Sequence, residues 1–178
     1  MRVFIAINIP EEIKDYFKII QEMIDKENVK IRLAHKGQMH LTLKFLGEVQ
    51  PDMVKKVCEE LKNIKFQSFP VYLDSIGIFS SKKYIRVIWI GLRPEEEIIK
   101  IQKNIDDILN KCFKREKDFE PHLTLARVKF VEDKEKFVRG LKNIKIKRKK
   151  FEINNFKLVK SILTKKGAIY EDIAIFNS

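Results

Sequence analysis

Two of the three histidines in the chain head the same tetrapeptide, His-Leu-Thr-Leu. One copy begins at His40 and the other at His122, about half the chain apart. The unperturbed pKa of histidine lies near neutrality, so one imidazole can accept a proton while a second, protonated imidazole donates one. Such a pair can break a phosphodiester without a metal ion. These two histidines are therefore the first candidates for catalysis.

Each copy carries a threonine two residues after its histidine, at Thr42 and Thr124. Successive side chains of a β-strand point to opposite faces, so each histidine shares a face with its threonine, and the leucines face the other way. A threonine hydroxyl can donate a hydrogen bond to a phosphate oxygen and stabilise the charge that develops there. We expect both His-Thr pairs to line one groove above a leucine core.

Metal binding is the main alternative use of two histidines. Zinc sites need three or four nitrogen, sulfur or oxygen ligands, and neither Glu48 nor Glu120 stands at a metal-ligand spacing from a histidine. The sequence also lacks a glycine-rich nucleotide-binding motif. We therefore expect no metal and no cofactor. The third histidine, His35, is predicted to lie in a surface turn.

The apolar pattern places both tetrapeptides on strands of an α+β fold. We expect strands over residues 2–9, 29–34, 39–46, 69–79, 84–92, 121–130, 149–162 and 168–176, and helices beginning near residues 10, 51, 94 and 133. Turns are predicted over residues 80–83 and 165–167. Because this order repeats once, internal duplication is the simplest explanation. The prediction is a single domain over residues 1–178, made of two pseudo-symmetric lobes whose antiparallel sheets face a central cleft, with helices outside and the motifs at 40–43 and 122–125.

The composition favours a polyanionic partner and a reducing compartment. Lys and Arg number 37 against 25 Asp and Glu, for a net charge of +12. A surplus of this size attracts nucleic acid, although a merely solvated basic surface is the alternative. The two cysteines, Cys58 and Cys112, form no CxxC pair. Since no segment has the length of a signal peptide or a membrane span, we expect a cytoplasmic protein.

The motifs also carry a family resemblance. The segments Met39–Glu48 and Pro121–Val128 resemble the two signature motifs of the 2H phosphoesterase superfamily. Three further segments, 2–7, 86–91 and 161–171, are similar to its RNA 2′,3′-cyclic phosphodiesterase branch, first described as a 2′-5′ RNA ligase. The resemblance covers essentially the whole chain.

The resemblance implies a fold of two similar lobes and an activity on RNA termini. It implies hydrolysis of a terminal 2′,3′-cyclic phosphate to a 2′-phosphate, and reversible 2′-5′ joining of RNA ends, including tRNA halves. No metal or nucleotide cofactor is implied. His40 would be the proton donor to the departing 3′ oxygen, and His122 the proton acceptor that activates water. Thr42 and Thr124 would bind the phosphate.

Arg127 matches the basic residue that follows the second motif in the family, and the resemblance makes it a substrate-binding candidate. Strict alternation would place Arg127 on the leucine face, unless a bulge after Leu125 re-aims it. The same alternation predicts that Phe45 packs in the core. It also predicts that Lys44 and Arg86 lie on cleft-facing sides, most simply as solvated charges.

Two alternatives stay open from the sequence. One is an RNA-binding protein on the same fold without turnover. The other is the same chemistry on a different substrate, such as a small cyclic nucleotide or an ADP-ribose cyclic phosphate. Nothing in the helical patterns indicates an interface, so we expect a monomer.

Overall fold

A computed structural model describes residues 1–81, 84–165 and 167–178 and confirms the α+β fold. The strands of the described residues are β1 (Arg2–Asn8), β2 (Val29–Leu33), β3 (His40–Glu48), β4 (Phe69–Ser80), β5 (Ile85–Arg93), β6 (His122–Val131), β7 (Lys150–Ile153), β8 (Asn155–Thr164) and β9 (Gly167–Asn177). The helices are α1 (Glu11–Met23), α2 (Pro51–Leu61), α3 (Glu96–Leu109) and α4 (Lys134–Asn143), with a 3₁₀ turn at Lys36–Gln38. The predicted turns include Lys82, Lys83 and Lys166, which lie outside the described residues.

All described strands belong to one antiparallel sheet that curls on itself. The strand order is β7-β4-β5-β6-β3-β1-β8-β9, and β2 pairs with β6 beside this path. Only Asn154 separates β7 from β8, yet the two strands belong to opposite halves of the order. The sheet must therefore curve until its far regions approach each other. The prediction of one strand over residues 149–162 was wrong, because the chain changes partners at Asn154.

The two halves of the sheet meet where the two tetrapeptides meet. β3 and β6 pair through the register Leu41–Leu123, which joins the two expected sheets into one. The leucines of both motifs are at most 1 % exposed and lie in the main core. Helix α1 packs against β6 and α3 packs against β3. The helices therefore cover the leucine face, as predicted, and leave the histidine face open.

The helix boundaries follow the proline and acidic residues that begin them. Pro51 is the first residue of α2, and Pro10 directly precedes α1, whose first turn is acidic. Helix α3 begins two residues after Pro94 and ends at Leu109 rather than near Cys112. No helix in the described part of the chain is both long enough and apolar enough to cross a membrane.

Candidate active site

A cleft of about 640 Å³ opens on the histidine face of the sheet. Its lining includes every site residue predicted from the sequence: His40, Thr42, His122, Thr124 and Arg127. Both halves of the sheet contribute, because the cleft lies over the junction of β3 and β6. The strand alternation and the register together bring these residues to one site.

The histidines and threonines alternate across the two central strands. In an antiparallel pair registered at Leu41 and Leu123, His40 lies across from Thr124, and Thr42 lies across from His122. Each imidazole therefore has one threonine along its own strand and another across the strand pair. This arrangement places two proton-transfer groups and two hydroxyl donors around one small space.

Each tetrapeptide ends in a β-bulge at its final leucine. In β3, Thr42 pairs with Ala6 and Lys44 pairs with Ile5, so that Leu43 has no partner across the strand pair. In β6, Thr124 and Ala126 pair with successive residues of β5, which leaves Leu125 unmatched in the same way. A bulge changes the face on which later side chains point. The two motifs therefore share an irregularity as well as a sequence.

The bulges decide which neighbouring residues reach the cleft. After Leu125, Ala126 is also buried and Arg127 is exposed and lines the cleft, as a bulge predicts. After Leu43, Lys44 is 2 % exposed, and Phe45 is 57 % exposed and lines the cleft. The predictions of a solvated Lys44 and a core Phe45 were therefore wrong, because strict alternation ignored the bulge. Arg86 is exposed but does not line the cleft.

Buried polar side chains from the helices support both bulges. The Leu125 carbonyl accepts hydrogen bonds from the Gln21 side-chain amide at 2.8 Å and from the Ala34 backbone amide at 2.9 Å. At the other bulge, the Lys44 ammonium donates to Asp106, with which it forms a buried ion pair, and to the Lys114 carbonyl at 2.6 Å. These contacts satisfy groups that would otherwise be buried without partners.

The tautomer of neutral His122 follows from its backbone contact. Nδ1 lies 2.8 Å from the carbonyl oxygen of Glu120, which can only accept. Nδ1 must therefore carry the hydrogen, which leaves Nε2 of the neutral ring with a free lone pair. His40 likewise forms a hydrogen bond with the backbone of Gln38, two residues before it. In His122 this geometry suits a proton acceptor.

Burial keeps both imidazoles uncharged at neutral pH. It lowers the pKa of His40 to about 4 against a weaker raising effect of the Gln38 bond, and charge on His122 lowers it further. Burial also lowers the pKa of His122, with Arg127 adding to the effect and the backbone and carboxylate of Glu120 opposing it. The group that donates a proton must therefore gain it when an anionic ligand enters the cleft.

Aromatic rings enclose both histidines. The ring centroid of His40 lies 4.8 Å from Phe4 and 5.1 Å from Tyr170. That of His122 lies 4.7 Å from Phe79 and 6.2 Å from the indole of the single tryptophan. These rings contribute to the burial of both imidazoles. The sequence did not place Phe4, Phe79 or Trp89 beside the histidines, because these residues come from strands far from the motifs in the chain.

Two further arginines that the sequence did not single out, Arg2 and Arg32, line the cleft with Arg127. Arg32 is the register partner of Arg127 across β2 and β6. Burial raises the pKa of the Tyr170 hydroxyl, while these three cations lower it in part. The cleft is therefore suited to an anion. Among the described residues, no group of three or more His, Cys, Asp or Glu side chains is placed to hold a metal ion.

Comparison with known proteins is consistent with this geometry. The chain is 40% identical over 175 residues to the RNA 2′,3′-cyclic phosphodiesterase of Methanocaldococcus jannaschii, covering 97% of this chain and 98% of the relative. It is 34% identical over 179 residues to the protein of that name from Archaeoglobus fulgidus, covering 99% of each. A crystal structure of a protein from Thermus thermophilus has a similar fold, with a TM-score of 0.83 at 23% identity over 99% of this chain and 97% of that one.

Escherichia coli LigT complexed with 3′-AMP also shares the fold, with a TM-score of 0.76 at 23% identity over 99% of this chain and 96% of that one. The family model for LigT-like phosphoesterases matches the chain twice, over residues 7–89 and 90–170. Each matched segment contains one of the two tetrapeptides. The chain belongs to the LigT-like phosphoesterase family.

Proposed function

We propose that the protein is an RNA 2′,3′-cyclic phosphodiesterase that converts a terminal 2′,3′-cyclic phosphate to a 2′-phosphate. Water attacks phosphorus, the bond between phosphorus and the 3′ oxygen breaks, and the 2′ oxygen keeps the phosphate. The observation that carries this proposal is the alternation of two histidines and two threonines at the centre of one cationic cleft.

In this proposal His122 is the base and His40 the acid. Neutral His122 takes the proton of the attacking water through Nε2, since Nδ1 is committed to Glu120. His40 gives a proton to the departing 3′ oxygen, after the phosphate anion has favoured its charged form. Thr42, Thr124 and Arg127 hold the non-bridging oxygens and stabilise their negative charge.

The same groups support ligation when a 5′-hydroxyl replaces water. The hydroxyl attacks the cyclic phosphate, His122 accepts its proton, and the product is a 2′-5′ linkage. The reverse reaction exchanges the roles of the two histidines. Cleaved tRNA halves, which carry such termini, are the RNA-processing substrate we propose for this activity.

The test is incubation of a short oligonucleotide ending in a 2′,3′-cyclic phosphate, in EDTA, with chromatographic comparison of the product against 2′- and 3′-phosphate standards. We expect a 2′-phosphate from the wild-type protein and no conversion by His40→Ala or His122→Ala, with circular dichroism unchanged. A non-catalytic RNA-binding protein would bind the oligonucleotide and leave its terminus intact. A 3′-phosphate product would refute the proposed direction of ring opening.

We also infer that the domain consists of two duplicated lobes with motifs at residues 40–43 and 122–125. Both motifs end in the same bulge and lie under the same kind of helix, which supports a duplication. We propose a cytoplasmic monomer, because Cys58 and Cys112 are free thiols and both histidine motifs of the site lie in one chain.

A further inference from the structure

A second surface continues from the cleft along the outer ends of β2, β5 and β6. We call it the outer strip and define it by the cations Lys30, Arg86 and Lys129 and the aromatic residues Tyr84 and Phe130. All five side chains are exposed, Tyr84 at 64 % and Phe130 at 53 %. Four of them line a shallow depression of about 250 Å³, and Lys30 is the register partner of Phe130.

The strand registers place the outer strip on the same face as the cleft. Arg32 lines the cleft, and Lys30 lies two residues before it on β2, so the two share a face. Phe130 is opposite Lys30, and Lys129 is the extra residue of a register shift next to that pair. Arg86 is the extra residue of a corresponding shift in β5, beside Val87 of the cleft. These shifts add exposed side chains to one continuous face.

The cations of the outer strip have no carboxylate partners in the described chain. None of Lys30, Arg86 and Lys129 forms an ion pair with any described acidic residue, and neither do Arg32 and Arg127 in the cleft. By contrast, lysines of β8 pair with carboxylates of β9 at 2.6 and 3.1 Å. Positive charge is therefore left uncompensated on the side of the cleft that ends in the outer strip.

We propose that the outer strip binds the single-stranded RNA that immediately precedes the cyclic-phosphate terminus. Cations that follow a backbone, interleaved with exposed aromatic rings, are the usual features of single-strand binding surfaces. From Arg127 to Phe130 the strand advances about 10 Å, which matches about three stacked nucleotides. The proposal rests on the proposed function, because the cleft must hold the RNA terminus. The outer strip makes the protein prefer oligonucleotides over mononucleotides.

The experiment compares two substrates, a nucleoside 2′,3′-cyclic phosphate and a five-nucleotide RNA with the same terminus. The test variant is Lys30→Gln/Arg86→Gln/Lys129→Gln. The matched control is Lys18→Gln/Lys56→Gln/Lys103→Gln, which removes the same charge from exposed positions on the helices. Fluorescence anisotropy of the labelled five-nucleotide RNA, measured against salt concentration, provides a readout that does not depend on turnover.

We expect kcat/KM of the test variant for the oligonucleotide to fall about tenfold or more. Its kcat/KM for the mononucleotide should stay within about twofold of the wild-type value. The slope of log affinity against log salt should become shallower by about 2, since each lost phosphate contact on a single strand removes about 0.7. The control variant should show neither this fall in kcat/KM for the oligonucleotide nor this change in salt slope. Tyr84→Ala should weaken oligonucleotide binding about tenfold, and Tyr84→Phe should restore it.

Three results would overturn the proposal. Equal losses in the test and control variants would mean only general electrostatic attraction. Equal losses on both substrates would mean that the strip acts on the cleft itself. Tighter binding of poly-glutamate than of the RNA would assign the surface to an acidic polypeptide. If neither cyclic phosphate is opened by the wild-type protein, the proposed function fails, while the anisotropy measurements still decide whether the strip binds RNA.

Discussion

The protonation of His40 should make the stability of the protein depend on pH in a defined window. Burial lowers the pKa of this imidazole from an ordinary 6.5 to about 4. Below pH 6.5 the His40 imidazole is protonated in the unfolded chain, whereas in the folded protein it stays neutral until the pH approaches 4. The contribution of His40 to the free energy of unfolding therefore falls as the pH drops through this window and is constant below it. At about 1.4 kcal/mol per pH unit, the loss amounts to roughly 3 kcal/mol.

The assay is urea unfolding followed by the fluorescence of Trp89, the only tryptophan, at a series of pH values from 7.5 to 4. His40→Gln provides the reference, because it keeps the other titrating groups and removes this one. We expect the wild-type protein to lose roughly 3 kcal/mol more than the variant across the window. Equal losses of unfolding free energy with falling pH in the two proteins would refute the assignment of a neutral, buried His40. Proton NMR of the imidazole gives the same pKa directly.

Three further predictions concern the roles of individual groups. A cyclic substrate with sulfur in place of the bridging 3′ oxygen should restore ring opening to His40→Gln but not to His122→Gln, because a thiolate leaves without a proton. Rescue of His122→Gln instead would mean that His122 is the acid and His40 the base. Lys44→Met should lower the free energy of unfolding in urea by about 3–5 kcal/mol, because it leaves the buried Asp106 carboxylate without its ion-pair partner. Adding Asp106→Asn should recover part of this loss. Additive losses in the double variant would contradict the coupling between the two side chains. The pH optimum of kcat/KM should lie below 6.5, because burial lowers both histidine pKa values in the free protein. The pH optimum of kcat should lie higher, because bound phosphate favours protonated His40. Coincident optima would show that bound phosphate does not favour protonation of His40.

The central residues were predictable from the sequence because the rule that positions them is local. The alternation of a strand puts His40 with Thr42, and His122 with Thr124, on the face opposite the leucines. Burial of the leucines confirms this. The α+β architecture was equally accessible, since period-two strands and helices with apolar stripes alternate along the chain.

The failures of prediction share one physical cause, which is that register is not local. The bulge at Leu43 buries Lys44 and exposes Phe45, and the sequence has no marker for that shift. Asn154 separates two strands that a single apolar pattern seemed to join. Arg32 reaches the cleft because β2 pairs with β6, and Tyr170 reaches it because the sheet curls, so both positions depend on pairing between distant strands.

The most direct test of the two-histidine mechanism is single-turnover ring opening of the cyclic-phosphate oligonucleotide by three histidine variants in EDTA. We predict that His40→Gln and His122→Gln each lower the rate by about 10²–10⁴, as expected for loss of a general acid or base. His35→Gln, the matched control outside the cleft, should react at the wild-type rate. Near-wild-type rates for either His40→Gln or His122→Gln would contradict the two-histidine mechanism.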